Sequence, residues 1–321
     1  MNPRRPKAIY VHGSNSDHWT SLISRNCSDV DIISKQQLDE SATEGANVDA
    51  LIGWRFSPEL IARLPNLRWI QFISVSIDEF AISPHVSSEV IVTNTKGLYS
   101  DSVADYVLWA LLTLTRKFNV VTRNQSRRRW HQISGPTLRD KTIGIFGVGS
   151  VGRAVAQRAR AFEMQTVGIV SDNAESKQLS CVDDTLPQRD LHQAIGDFDA
   201  FVICVPLTEA TKGVVNADLI AKMKPSAYII NTVRGGVADE AAIAAVLENG
   251  KLAGAAIDSF DKEPVRRWSP LWKTRNLLIT PHISGITDDY QQRVGDLICE
   301  NIRRFSAGEE LLSLVDREKG Y

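Results

Sequence analysis

Short apolar runs rich in Val and Ile punctuate the second half of the chain at regular intervals. They are TIGIFG (142–147), TVGIV (166–170), AFVICV (200–205), AYIIN (227–231), AGAAID (253–258) and NLLIT (276–280). Between most of them the apolar positions recur at three- and four-residue steps, as in SVGRAVAQRARAF (150–162) and ADEAAIAAVLENG (238–250), the latter ending on Gly250. Apolar strands alternating with amphipathic helices predict parallel sheets covered on both faces. The first hundred residues repeat the theme more weakly, with KAIYV (7–11), DALIGW (49–54), RWIQFI (68–73) and VIVTN (90–94) as strand candidates. Two longer helices follow from the same periodicity, over 102–118 and 287–305. In the second, Tyr290, Val294, Leu297, Ile298, Ile302 and Phe305 form one apolar face, suited to folding back on the first domain.

Length and composition narrow the classes. A chain of 321 residues, 43% of them hydrophobic, is a globular protein with room for two domains. On this reading no further regulatory domain is expected. The formal net charge of −1 gives no electrostatic reason to expect nucleic acid or membrane as a partner. The basic run RNQSRRRWHQ (123–132) reads as a solvated loop or dimer contact, and HGSNSDH (12–18) as a polar loop after the first strand. The longest apolar run, 107–114, is too short to span a bilayer, and the first residues lack a signal-peptide core, so a cytoplasmic location is expected. Four cysteines without C-x-x-C spacing read as reduced thiols, with no metal site.

The segment 142–162 reads strand, tight turn, helix, with Gly147, Gly149 and Gly152 spaced G-x-G-x-x-G around Ser150 and Val151. The first glycine makes the turn, the second lets backbone approach a pyrophosphate, and the third lets helix and strand pack closely. The helix N-terminus supplies free N–H groups and a positive dipole end. The next strand ends on Val170, followed by Ser171 and Asp172. An acid there opposes a 2′-phosphate, and the nearest alternative cation is Lys177. NAD and NADP both stay open, with a lean to NAD.

Three distal strands run into polar residues: Arg234 in NTVRGG (231–236), Glu263 in DSFDKEP (258–264) and His282 in PHISG (281–285). Ligands of open α/β sheets bind beyond the carboxyl ends of the strands, so the three loops are expected to converge there. An arginine so placed can bind an anionic ligand and polarise an oxygen, which Arg234 suits, and a histidine can exchange a proton, which His282 suits. A carboxylate such as Glu263 favours the charged imidazole and fixes the ring. Asp258 could touch the cofactor or cap its loop.

These motifs, with VPLTEATKGVVN, MKPSAYIINTVRGG, DEAAI and SPLW in the same order, resemble the D-isomer-specific 2-hydroxyacid dehydrogenase family over essentially the whole chain. The resemblance implies two doubly wound parallel-sheet α/β domains. A Rossmann-type cofactor domain (102–286) is inserted into a flavodoxin-like substrate domain (1–101 and 287–321), usually in a homodimer. It implies that Arg234 binds substrate, that His282 is the acid/base group and that Glu263 is its partner. It also places Val205, Pro206, Thr211, Thr232, Val233, Arg234, Asp258, His282, Ser284 and Gly285 around the cofactor. The family's carboxylate loop reads SVSID (74–78) here, with Ser76 in place of glycine, leaving backbone donors at Val75 and Ser76. The family's acid in VAE is Asp105. Trp54, Arg55, Trp268, Leu271 and Trp272 are candidates for reading the substrate tail. A dinucleotide-sensing scaffold, like the corepressors sharing the fold, is the alternative; formate oxidation is disfavoured because Glu263 stands where that family has glutamine.

Overall fold

The computed structural model describes residues 8–13, 15–27, 30–40, 42–75, 77, 86–172, 179–232 and 234–317. The chain divides into two units, one made of Met1–Leu98 with Thr287–Tyr321 and the other of Tyr99–Ile286.

In the first unit, β1 (Ala8–Val11), β2 (Asp31–Ile33), β3 (Val48–Gly53), β4 (Trp69–Phe72) and β5 (Ile91–Thr93) form a parallel sheet in the order β2-β1-β3-β4-β5. The order reverses between β1 and β3, as in flavodoxin-like sheets. Helices α1 (Ser16–Asn26), α2 (Lys35–Glu40), α3 (Ala42–Gly45) and α4 (Pro58–Ala62) fall between the strands. His18 therefore stands in α1, where a polar loop was expected. The fourth strand's Trp69 is fully buried and stacks on Phe305, 5.4 Å between ring centroids. That contact docks the C-terminal helix on the sheet of this unit, and Val294, Ile298 and Ile302 are buried beside it.

The second unit opens with α5 (Ser100–Thr115) and α6 (Phe118–Ser126). Its sheet has seven parallel strands in the order β12-β11-β10-β9-β6-β7-β8. They are β6 (Thr142–Phe146), β7 (Gln165–Val170), β8 (Asp184–Pro187), β9 (Ala200–Ile203), β10 (Tyr228–Asn231), β11 (Gly254–Ile257) and β12 (Leu277–Ile279). Helices α7 (Ser150–Ala161), α8 (Leu191–Ala194), α9 (Ala217–Ile220) and α10 (Glu240–Glu248) connect them, and α11 (Tyr290–Ala307) returns the chain to the first unit. Central strands are buried on both faces: Ile145 and Val202 pack on one side, Phe146 and Ile203 on the other. That is why they read as continuous apolar runs rather than alternating ones. The strand order reverses between β6 and β9, so a crevice opens at their carboxyl ends. No helix among the described residues is long and apolar enough to cross a membrane.

Candidate active site

The turn after β6 lies at that crevice. Gly147 has φ +96°, a conformation that L side chains rarely adopt, and a Cβ there would sit 2.7 Å from Val205 Cγ1. At Gly152 a Cβ would lie 2.0 Å from the carbonyl oxygen of Gly147, so only glycine lets α7 pack against the turn. Gly149 differs: a Cβ built there meets nothing within 4 Å, and no side chain caps α7, which begins with Ser150 and Val151. An open space before an uncapped helix N-terminus fits a dinucleotide pyrophosphate. Beyond β9, Thr211 donates from Oγ1 to the carbonyl of Pro206 (2.6 Å) and accepts from the N–H of Thr208 (2.8 Å), fixing the loop that starts at Val205.

Ser171 and Asp172 are exposed at the tip of β7. Asp172 Oδ1 accepts from the backbone N–H of Arg189 (2.8 Å) and faces its guanidinium at 3.9 Å. Spacing could not reveal Arg189, which reaches this tip only because β8 pairs beside β7, with Pro187 opposite Val170. Lys177 lies outside the described residues.

Adjacent strands β10, β11 and β12 deliver the three candidate catalytic side chains. A Cβ at Gly235 would stand 2.0 Å from the carbonyl carbon of Phe260, so the Arg234 loop lies directly against the Glu263 loop. Arg234 is half-buried; burial draws its guanidinium below the usual range, and the charge of Glu263 partly offsets this. Glu263 folds back on its own turn, its Oε1 accepting from the N–H of Phe260 (2.8 Å). Its Oε2 lies 2.8 Å from Nδ1 of His282. With Nδ1 engaged by the carboxylate, Nε2 is the nitrogen left to exchange a proton.

His282 itself sits in the left-handed region, φ +56°. Such a conformation persists where its surroundings over-determine it. Asp258 provides that constraint. Its carbonyl accepts from the N–H of His282 (3.0 Å), while its carboxylate accepts from the N–H groups of Ile283 and Ser284 (2.9 Å each). The same carboxylate takes the Thr280 hydroxyl at 2.6 Å, and Thr280 lies 2.5 Å from the Tyr106 hydroxyl. Burial, chiefly, pushes the Tyr106 phenol well above its usual range. Asp258 is fully buried, and of the two roles open in the sequence its hydrogen bonds display the loop-holding one. Tyr106 carried no signal: it looked like one more apolar position of α5.

Beside this corner, Asn231 Oδ1, Thr232 Oγ1 and Ser259 Oγ are buried without a hydrogen-bond partner among the described residues. Unspent polar atoms at the strand tips fit a nicotinamide amide. Ser284 Oγ donates to the carbonyl of Thr232 (3.4 Å), and Gly285 packs close to Tyr99. Trp268 and Trp272 are exposed on the loop after Glu263, joined to Arg266 by a ring contact and by a hydrogen bond from Trp272 Nε1 to its carbonyl. Asp105 pairs with Arg158 (2.5 Å) on the α5–α7 face.

In the first unit, Val75 is exposed and its carbonyl accepts from Asn94 Nδ2 at 2.8 Å. Ser76 and Val233 lie outside the described residues. Trp54 is exposed at the end of β3, with the Arg55 guanidinium 5.6 Å from its ring centroid.

Residues 108–284 match the family model described as the NAD binding domain of D-isomer specific 2-hydroxyacid dehydrogenases. The chain belongs to this family. Relatives sharing it include a glyoxylate reductase from Thermofilum pendens, 30% identical and covering 98% of this chain and 95% of the relative. An (S)-sulfolactate dehydrogenase from Chromohalobacter salexigens is 32% identical over 82% of this chain and 86% of its own. Among solved structures, a D-isomer specific 2-hydroxyacid dehydrogenase from Xanthobacter autotrophicus Py2, in complex with NADPH and MES, superposes with a TM-score of 0.84 at 28% identity, covering 98% of this chain and 99% of that one. This dehydrogenase is accordingly an NAD(P)-dependent oxidoreductase acting on 2-hydroxy or 2-keto acids. The corepressor alternative gains no support from these relatives.

Proposed function

We propose that the protein works as a reductase of a small 2-keto acid, of glyoxylate or hydroxypyruvate size, with Arg234, Glu263 and His282 as its catalytic group. The observation that carries this reading is the 2.8 Å pair between His282 Nδ1 and Glu263 Oε2, with Arg234 close enough to feel the same carboxylate. A nicotinamide cofactor held at this site would supply the hydride for the carbonyl carbon. Arg234 binds the substrate carboxylate and polarises the carbonyl oxygen through its forked donors. His282 delivers the proton to that oxygen from Nε2, and Glu263 holds the ring and stabilises its charged form. Asp258 keeps the histidine loop in place. In the oxidative direction His282 takes the proton back.

For the cofactor, NADPH is proposed over NADH, reversing the lean from sequence. Asp172 is tied to the backbone of Arg189 and faces its guanidinium, so the tip of β7 carries a cation able to bind a 2′-phosphate. The Xanthobacter structure contains NADPH. Gly147, Gly149, Ser150, Val151 and Gly152 would cradle the pyrophosphate, with Val205, Pro206 and Thr211 flanking it. Thr232, Val233, Ser284 and Gly285 would line the nicotinamide end. Backbone donors of Val75 and Ser76 are proposed for the substrate carboxylate.

A homodimer is also proposed. The face of α5 bears a hollow of about 550 Å³, lined by the exposed apolar residues Trp109, Phe118 and Phe162. Exposed apolar patches of this kind mark association surfaces, and Trp130 is 97% exposed in the same unit.

The test is absorbance of NADPH and NADH in parallel with glyoxylate, hydroxypyruvate, pyruvate and a bulky aromatic keto acid. Turnover of a small keto acid, lost in Arg234→Ala and His282→Ala while cofactor binding survives, is the expected result. Turnover retained in both variants would remove the assignment.

A further inference from the structure

Two of the four cysteines, distant in sequence, meet in the first unit. Cys27 ends α1, its N–H donating to the carbonyl of Ile23 at 2.7 Å. Cys299 lies in the middle of α11. The two helices pack closely because Gly295, one turn before Cys299, leaves room for Leu22: a Cβ there would be 2.3 Å from Leu22 Cδ2. Beneath the contact, Trp19 and Ile23 of α1 share one buried cluster with Val294, Ile298 and Ile302 of α11. At the next turn Cys27 packs against this cluster, with Cys299 as its side-chain neighbour. Both residues are partly exposed, within reach of a small oxidant.

Two neighbouring, partly exposed thiols on packed helices are the arrangement in which one sulfur attacks an oxidant and the other resolves the product. The interaction with Cys299 draws the Cys27 thiol below its usual range, which favours Cys27 as the attacking sulfur. The remaining cysteines, Cys181 and Cys204, belong to the second unit, and burial pushes the Cys204 thiol up to about 12.

We propose that Cys27 and Cys299 form a peroxide-sensitive dithiol whose oxidation ties α1 to α11. The Cys27 thiolate attacks one oxygen of hydrogen peroxide; the O–O bond breaks, hydroxide leaves and takes up a proton as water, and Cys27 becomes a sulfenic acid. The Cys299 sulfur then attacks the Cys27 sulfur. An S–S bond forms as the S–O bond breaks, and the departing hydroxide takes the Cys299 proton as a second water. The two thiols together lose two electrons, which reduce one peroxide to two waters. A reducing thiol reverses the change. The cross-link closes a loop from residue 27 to residue 299, so it is expected to raise the melting temperature.

The test uses the full-length reduced chain, exposed to hydrogen peroxide and digested with trypsin without reduction. The expected product is peptide 26–35 (NCSDVDIISK) joined to peptide 294–303 (VGDLICENIR), reversed by dithiothreitol, together with a rise in Tm. Neither the joined peptide nor the rise is expected in Cys27→Ser or Cys299→Ser, whose folding is checked by circular dichroism. A wild-type chain that stays folded yet gives only free thiols, sulfinic acid at Cys27 or a different cysteine pairing would overturn the proposal. The wild-type peptide map decides even if a variant fails to fold.

Discussion

Asp258 holds His282 by the backbone rather than by the ring. Its carbonyl takes the N–H of His282, and its carboxylate takes the next two N–H groups, so the left-handed turn at His282 is fixed from one buried residue. Glu263 then acts on the imidazole alone. Positioning and proton handling are thus divided between two acids, one fully buried and one partly exposed.

Asp258→Asn replaces a carboxylate oxygen by an NH2 group that would face a donor. Leaving such a buried donor unsatisfied costs about 1–3 kcal/mol. The expected outcome is a loss of that size in urea denaturation, with kcat falling while cofactor affinity is largely kept. A variant as stable and active as wild type would show that the bracket is dispensable.

Gly149→Ala and Gly152→Ala separate binding from folding. At Gly149 the added Cβ meets open space, so the variant is expected to fold normally and bind cofactor more weakly. At Gly152 it meets the Gly147 carbonyl at 2.0 Å, so the variant is expected to lose stability itself. Thermal melts with and without NADPH distinguish the two.

Arg189→Ala tests the cofactor proposal. A hydrogen bond to a charged group contributes about 1.5–3 kcal/mol, so kcat/KM for NADPH should fall roughly 10- to 100-fold. The value for NADH should barely change. An equal loss with both cofactors would place Arg189 elsewhere in the site's economy.

Alkaline stability follows from the tyrosines. Burial raises the phenols of Tyr10, Tyr106 and Tyr228 above the ordinary phenol value of about 10. Below that value both folded and unfolded chains keep these protons, and stability is unaffected. Above it the unfolded chain loses protons first, so stability declines as pH rises toward the folded values. Melting temperatures between pH 8 and pH 11 are expected to fall above about pH 10. Tyr106→Phe should flatten that fall while costing about 1 kcal/mol at neutral pH through the lost Thr280 bond.

Much of the fold was legible because buried parallel strands read as apolar runs. All six distal runs correspond to strands β6, β7, β9, β10, β11 and β12; β7 and β10 end with their runs, and the other four end one or two residues short, where loop polarity begins. Strands β2 and β8 were missed: Asp31–Ile33 is three residues long, and Asp184–Pro187 is polar at a sheet edge. The loops bearing Arg234, Glu263 and His282 could be placed together from strand-end logic alone. Arg189, Tyr106 and the Cys27–Cys299 pair could not, because each meets its partner only through tertiary packing.

The most direct test compares kcat for wild type and His282→Ala with NADPH and glyoxylate, alongside NADPH affinity measured by fluorescence. General acid catalysis contributes about 10²- to 10⁴-fold. A loss of that order in kcat with unchanged NADPH affinity is expected if His282 delivers the proton. Turnover equal to wild type would contradict it.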